Sequence, residues 1–335
     1  MERRATGKLF LFLLGGSAAV VIAAACSVLF GSTDVPLAKV WQALTAPDLS
    51  DQQQIVIHEL RLPRALGCLL VGAAFAAAGA VMQGVTRNPL ADSGLLGINA
   101  GATFALAVCL AFFSGLSFSG VVAFSFLGAA AAMSIVYLLL RLRRRTLDPV
   151  RLVLAGSAVS IFLSSLSQAI AIQCNIGYNL TFWTAGGVAG IRAEQLHFAA
   201  PLIVLGLLAA VLLSRRVSLL SLGEEAARGL GLHIERTRLL CLLVVLVLAG
   251  SAVALAGPVA FVGLLVPHVV RHFLGADYRS IIPGSMVAGA FFMLLADLFS
   301  RLINAPSETP IGLVFAMIGV PFFIWLARKE GKGLD

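Results

Sequence analysis

Residues 239–256 read LLCLLVVLVLAGSAVALA, a stretch without a single charged side chain. A run of this length is enough to cross about 30 Å of hydrocarbon as a helix. It lacks the alternation of polar and apolar positions that marks the ~10-residue strand of a membrane barrel. Outward from it, runs of the same character recur at approximately 9–31, 61–82, 94–113, 118–141, 149–173, 195–214, 237–257, 259–274, 281–303 and 310–327. The eighth is short and opens beside Pro258. Hydrocarbon leaves the backbone no way to satisfy its polar groups except a helix or a closed barrel. The expectation is therefore an all-α membrane protein with ten transmembrane helices, lying in the bilayer as one domain over residues 1–335.

Composition points the same way. The 335 residues are 59% hydrophobic and only 12% charged, with mean hydropathy +0.98; a soluble chain would carry about a quarter charged residues. A net charge of +8 is compatible with nucleic acid, but its distribution gives a better reading. With the N-terminus inside, the inside segments collect 19 of the 24 basic residues, including Arg141, Arg143, Arg144, Arg145 and Lys332. The outside keeps Lys39, Arg61, Arg64, Arg192 and Arg301. That asymmetry is the one cytoplasmic loops show, so both termini are expected in the cytoplasm and no nucleic acid partner is called for. The first run follows Arg3, Arg4 and Lys8; it is long for a signal-peptide core and nine similar runs follow, so it reads as a span. Cys26, Cys68, Cys109, Cys174 and Cys241 are scattered without a disulfide or zinc pattern.

Two stretches between spans are expected to be loops. Residues 32–60 lie outside and include the polar run from Asp48, Leu49 and Ser50 through Asp51 to Gln54; residues 215–236 form the longest inside loop. Within the latter, Leu222, Gly223, Glu224, Glu225, Ala226, Ala227, Arg228, Gly229 and Gly231 have the grammar of a short helix. The glutamates sit at its positive end and glycines follow where it would stop. Its small residues leave a low face that another protein could approach closely; the plainer alternative is an amphipathic turn lying on the membrane. A second inside segment, Asn88, Pro89 and Leu90 followed by Asp92 and Gly94, breaks regular helix between two apolar runs. Irregular backbone near membrane depth needs protein or a water-filled path around it, so a pathway element is weighed against a tight connecting loop. Small residues recur from Gly97 to Gly101 and from Gly186 to Gly190, where ordinary close helix packing is the simplest reading.

Asp297 is the one acid deep within an apolar run. An unpaired acid at mid-membrane costs about 2.5–3.5 kcal/mol on insertion scales, and Arg301, one turn on, supplies a partner on the same face. A proton relay is the functional alternative. His268 and His272 share the spacing of a zinc-binding pair, but the glutamate of His-Glu-x-x-His is missing and no third ligand is apparent, so no metal is expected.

In order along the chain come Arg61-Leu62-Pro63-Arg64, then Gly79-Ala80-Val81-Met82-Gln83 with Asn88-Pro89-Leu90-Ala91-Asp92 and Leu96-Gly97, then Leu222-Gly223-Glu224-Glu225-Ala226-Ala227. Gly257-Pro258-Val259-Ala260-Phe261-Val262-Gly263-Leu264, Pro267-His268, Asp297 with Arg301, Pro310-Ile311-Gly312 and Gly319-Val320-Pro321-Phe322-Phe323 follow. This ordered set, covering nearly the whole chain, resembles the FecCD family, permease subunits of ABC importers for ferric siderophores, haem and cobalamin. Ser93 departs from the pattern, where many members carry proline. The resemblance implies ten helices per subunit, and a pair formed with a second copy or a paralogue around a central pathway in the bacterial plasma membrane. It also implies two separate ATPase subunits, seated on the coupling helix at 219–234, and a gate contributed by Asn88 to Leu90. Arg61, Arg64 and Arg301 would meet glutamates on a substrate-binding protein. Arginines exposed on a rim favour docking rate and register, with snorkelling at the membrane interface as the alternative.

The chain has no Gly-x-x-x-x-Gly-Lys-Ser/Thr loop, so it is not expected to be an enzyme. ATP and magnesium belong to the partner ATPases, and no cofactor is expected on the chain itself. The favoured cargo is a ferric siderophore of the hydroxamate type, with haem and cobalamin as alternatives within the same class. An ion-coupled secondary transporter, which would concentrate acids near the midplane, and an intramembrane enzyme are the readings from other classes.

Overall fold

The computed structural model describes residues 2–31, 36–45, 51–113, 115–141, 149–304 and 307–331. Asp48, Leu49 and Ser50 of the polar outer run, Arg143, Arg144 and Arg145 of the basic cluster, and Lys332 lie outside the described residues. All regular structure among the described residues is helical. The helices are α1 (Glu2–Leu29), α2 (Leu37–Thr45), α3 (Gln52–Val56), α4 (Leu62–Thr86), α5 (Ile98–Phe112), α6 (Phe118–Arg141) and α7 (Pro149–Gln173). After them come α8 (Gly177–Thr184), α9 (Ala193–Ser221), α10 (Glu224–Gly229), α11 (Ile234–Ala256), α12 (Val262–Leu274), α13 (Tyr278–Leu302) and α14 (Ile311–Gly331).

Seven of these helices are long and apolar enough to cross a bilayer, and three shorter apolar ones, α5, α12 and the apolar part of α14, fall where the remaining runs were read. At 1.5 Å per residue, the 13 residues of α12 reach only about 20 Å. Its start is set by Gly257 and Phe261, both in the left-handed region at φ 73° and 68°.

Two expected loops are corrected. The outer stretch 32–60 carries α2 and α3, and α3 runs through a π turn at Ile57–Arg61 directly into α4. The π turn sits just before Pro63, whose missing N–H cannot pair with the preceding turn. On the inside, α9 continues past Arg215 and Arg216 to Ser221. No glycine or proline interrupts that stretch, so the helix holds until Gly223 and the loop shortens to 222–233.

The core is built around α4. Twenty of its 25 residues are buried, packed by α13, α11, α9 and α12. Alanine and glycine make this possible. Lipid offers no hydrophobic drive between helices, so tight backbone approach supplies the contact energy. A Cβ on Gly72 would stand 2.3 Å from the Gly289 carbonyl oxygen of α13, and one on Gly79 would stand 1.9 Å from the Gly263 oxygen of α12. Gly101 and Gly128 bring α5 and α6 together in the same way. Gly79→Ala should therefore push α12 off α4 at a cost of about 1–3 kcal/mol, read as a lower unfolding temperature in detergent. An unchanged temperature would mean the helices separate without loss. By contrast, α1 lies at the edge, with Phe10, Leu11, Leu14, Val21 and Ile22 turned outward.

Candidate functional site

At the outer end of α13, Asp297 is fully buried and holds two guanidinium groups. Arg64 Nε donates to its Oδ1 at 2.8 Å, and Arg301 Nη2 donates to its Oδ2 at 2.8 Å. Each arginine has further work. Arg64 Nη1 donates to both carboxylate oxygens of Glu308 at 2.8 and 2.9 Å. Arg301 donates to the Ser27 and Phe30 carbonyls at 3.0 and 3.1 Å and to Ser27 Oγ at 2.7 Å. Arg61 Nη1 donates to the Val28 and Leu29 carbonyls, both at 2.8 Å. The last turn of α1 leaves carbonyls without intrahelical partners, at the negative end of the helix dipole; Arg61 and Arg301 satisfy them.

This corrects the picture of three exposed rim arginines. Arg61 and Arg301 retain only 5% and 3% of their surface, because both are turned inward onto α1. Arg64 alone reaches a partly exposed group, Glu308. Sequence reasoning paired Asp297 with Arg301 but missed Arg64 as its second partner, and missed Ser27 and Glu308 altogether. The segment between the last two apolar runs, Ser307-Glu308-Thr309, carries an acid facing a basic mouth, a signal that was available.

On the inner side, α10 is a short helix entered through Gly223 at φ 111°. It ends in a paired closure: Leu232 N–H donates to the Ala227 carbonyl and Gly231 N–H to the Arg228 carbonyl, with Gly231 at φ 80°. That is the glycine-terminated helix end in which two orphan carbonyls are satisfied. Ala227 is buried, while Glu225, Ala226, Gly229 and the flanking Leu222 and Leu230 are exposed. Glu224 turns back instead. Its Oε1 accepts from Arg238 Nη2 of α11 at 2.6 Å, and its Oε2 lies 3.7 Å from Arg228. The hydrogen bond from Arg238, with the charges of Arg238, Arg87 and Arg228, holds Glu224 below the usual carboxylate range, against partial desolvation.

Arg87 also lies beside Gly223 and ends α4 in the left-handed region at φ 52°. It thus joins α10 to Asn88, Pro89 and Leu90. These three form a turn in which Asn88 Oδ1 accepts from Leu90 N–H at 2.9 Å. Ser93 is buried and opens a 3-10 turn to Leu96. His268 and His272 pack edge-on against the rings of Phe322 and Phe273.

A third feature went unread in the sequence. Between α5, α7 and α8 lies a recess of about 440 Å³, lined by Asn99, Thr103, Ser160, Ser164, Ser167, Gln168, Thr181 and Thr184, with no charged residue in its lining. Ser160, Ser164 and Ser167 recur at helical spacing, so one face of α7 is hydroxyl-bearing within an otherwise apolar run. That stripe was the available signal. Thr103 and Ser167 donate to their own helix backbones, at the Asn99 and Leu163 carbonyls. Asn99 Oδ1 has no hydrogen-bond partner among the described residues.

A bundle of long apolar helices joined at glycine crossings defines a polytopic membrane protein. The chain belongs to the FecCD transport family, which matches residues 19–329. It is 43% identical over 324 residues to the iron(3+)-hydroxamate import system permease protein FhuB of Bacillus subtilis, covering 97% of this chain and 84% of that protein. It is 41% identical over 318 residues to the ferric enterobactin transport system permease protein FepD of Escherichia coli, covering 94% of each. It is 40% identical over 292 residues to the vitamin B12 import system permease protein BtuC of Klebsiella pneumoniae, covering 85% of this chain and 86% of that one. A solved structure described as an inward-facing metal-chelate type ABC transporter superposes with TM-score 0.82 at 31% identity, over 95% of this chain and 98% of the other. The protein is accordingly a multi-pass permease of the bacterial inner membrane and not a catalytic enzyme.

Proposed function

We infer that this chain is the permease subunit of an ABC importer for a ferric hydroxamate chelate. A substrate-binding protein delivers the cargo at the outer mouth, and two separate ATPases seated on α10 drive its passage. The permease works as a pair, with a second copy or a paralogue. The observation that carries the cargo is the charge-free recess. A ferric ion held by three hydroxamates is electrically neutral, and amide and hydroxyl groups can contact it without leaving a charge uncompensated. A ferric tris-catecholate carries three negative charges, and a wall built for it would call for cations. The likeness to FhuB supports the same reading. Energy enters through α10, and Arg87 provides a path from that helix to the turn at Asn88, Pro89 and Leu90.

The test is ATPase activity of the permease reconstituted with its ATPase and binding protein, titrated with ferric trihydroxamate, ferric tris-catecholate, haem and cobalamin. Stimulation by the trihydroxamate alone is expected. Stimulation by haem or cobalamin would keep the importer and overturn the cargo, and transport that persists with an inactive ATPase would overturn the importer itself.

A further inference from the structure

The outer mouth holds three arginines that the chain has already neutralised. Arg61 and Arg301 face the carbonyl end of α1, whose dipole carries about half a negative charge, and Asp297 and Glu308 take up the rest. As it stands, an approaching acidic surface meets almost no uncompensated positive charge. The two carboxylates are not equivalent. Asp297 is sealed, with no exposed side-chain surface, whereas the Glu308 side chain is 34% exposed. Glu308 lines a recess of about 310 Å³ with Arg61, Arg64 and Arg301. It belongs to the segment between α13 and α14, tied at its next residue by Thr309 N–H donating to the Ser300 carbonyl at 2.9 Å. Both its oxygens accept from one nitrogen of Arg64, so it can leave without disturbing the separate Nε bond to Asp297.

We propose that Glu308 is an internal stand-in for a carboxylate of the docking partner: it occupies Arg64 in the free permease, and an acidic side chain of the external binding protein takes its place. Displacing it exposes the Arg64 charge only when a partner carboxylate is present to receive it. The contact therefore sets a threshold that rejects surfaces lacking a correctly placed acid. This inference rests on reading the outer mouth as the docking surface.

The test compares the wild type with Glu308→Gln, which keeps size but removes the charge, and Glu308→Asp, which keeps the charge. Binding of the ferric-hydroxamate-loaded binding protein to the assembled transporter in nanodiscs is measured at low and high salt, alongside the unfolding temperature. Removing a competing rim charge acts mainly on association rate and its salt dependence. Glu308→Gln is expected to bind about five- to tenfold faster, with a steeper salt dependence, while Glu308→Asp follows the wild type. An unchanged or slower association for Glu308→Gln would overturn the proposal and leave Glu308 as a brace between α4 and the α13–α14 segment; a fall in unfolding temperature would mark that outcome. Failure of the wild type to bind at either salt concentration would instead overturn docking at this mouth, and the stand-in role with it.

Discussion

Asp297→Ala should cost this protein about 3–5 kcal/mol of stability, more than Gly79→Ala at the α4–α12 crossing. The side chain is fully buried and pairs with Arg64 and Arg301 at 2.8 Å each. Removing it takes from two largely buried guanidinium groups the carboxylate they share. The loss is dominated by the uncompensated charge rather than by the pairs themselves, because a buried ion pair gives little net stability while a broken one is costly. Arg301 would keep its bonds to Ser27 and Phe30, and Arg64 would keep Glu308, so the bundle should weaken without losing topology. Asp297→Asn preserves shape and an acceptor and should fall between the two. The measurement is the unfolding temperature of detergent-solubilised protein together with membrane yield. Wild-type values for the alanine variant would show that Asp297 is not the keystone of the outer mouth.

The second large effect is functional. Glu224→Arg combined with Glu225→Arg should abolish ATP-driven uptake while leaving insertion and yield intact. Arg238 is almost completely buried, with its side chain 3% exposed, and its Nη1 has no hydrogen-bond partner among the described residues. It depends on Glu224 for compensation. Replacing that carboxylate with a guanidinium sets like charges together, with Arg228 and Arg87 nearby, a juxtaposition that costs several kcal/mol. At 1.4 kcal/mol per factor of ten, α10 would leave its seat on α11 in most molecules. Insertion should be unaffected, since added positive charge on the inner side agrees with the orientation signal. Uptake and ATPase activity measured side by side in vesicles decide the matter. ATP hydrolysis without uptake is the expected pattern, and unchanged uptake would remove α10 from the coupling path.

Much of this protein is legible along the chain, for a physical reason. Whether a segment enters the bilayer depends on its own transfer free energy, which sums over consecutive residues, and orientation depends on charges that flank the spans. The run at 239–256, the basic inner loops and the ordered motifs therefore determined an all-helical membrane protein and its family. The short helix α10 was also readable, because glutamates at its start and glycines at its end are local signals. Errors came where a helix outlasted its hydrophobicity: α9 continues past two arginines, and α3 enters α4 through a turn that hydropathy does not register.

Only the tertiary structure decided which way the functional side chains face. Arg64 and Asp297 are 233 residues apart, and no periodicity brings them together; the Gly72–Gly289 crossing does. Arg61 and Arg301 read as a rim because they are basic and outside, yet the unsatisfied end of α1 draws them inward. Ser160, Ser164 and Ser167 look like tolerated hydroxyls until α5 and α8 are seen to complete a recess along that face of α7. Hydropathy fixes what lies in the membrane, but rotation of each helix about its axis is set by contacts with helices distant in sequence, and that rotation decides which residues form the mouth, the recess and the core.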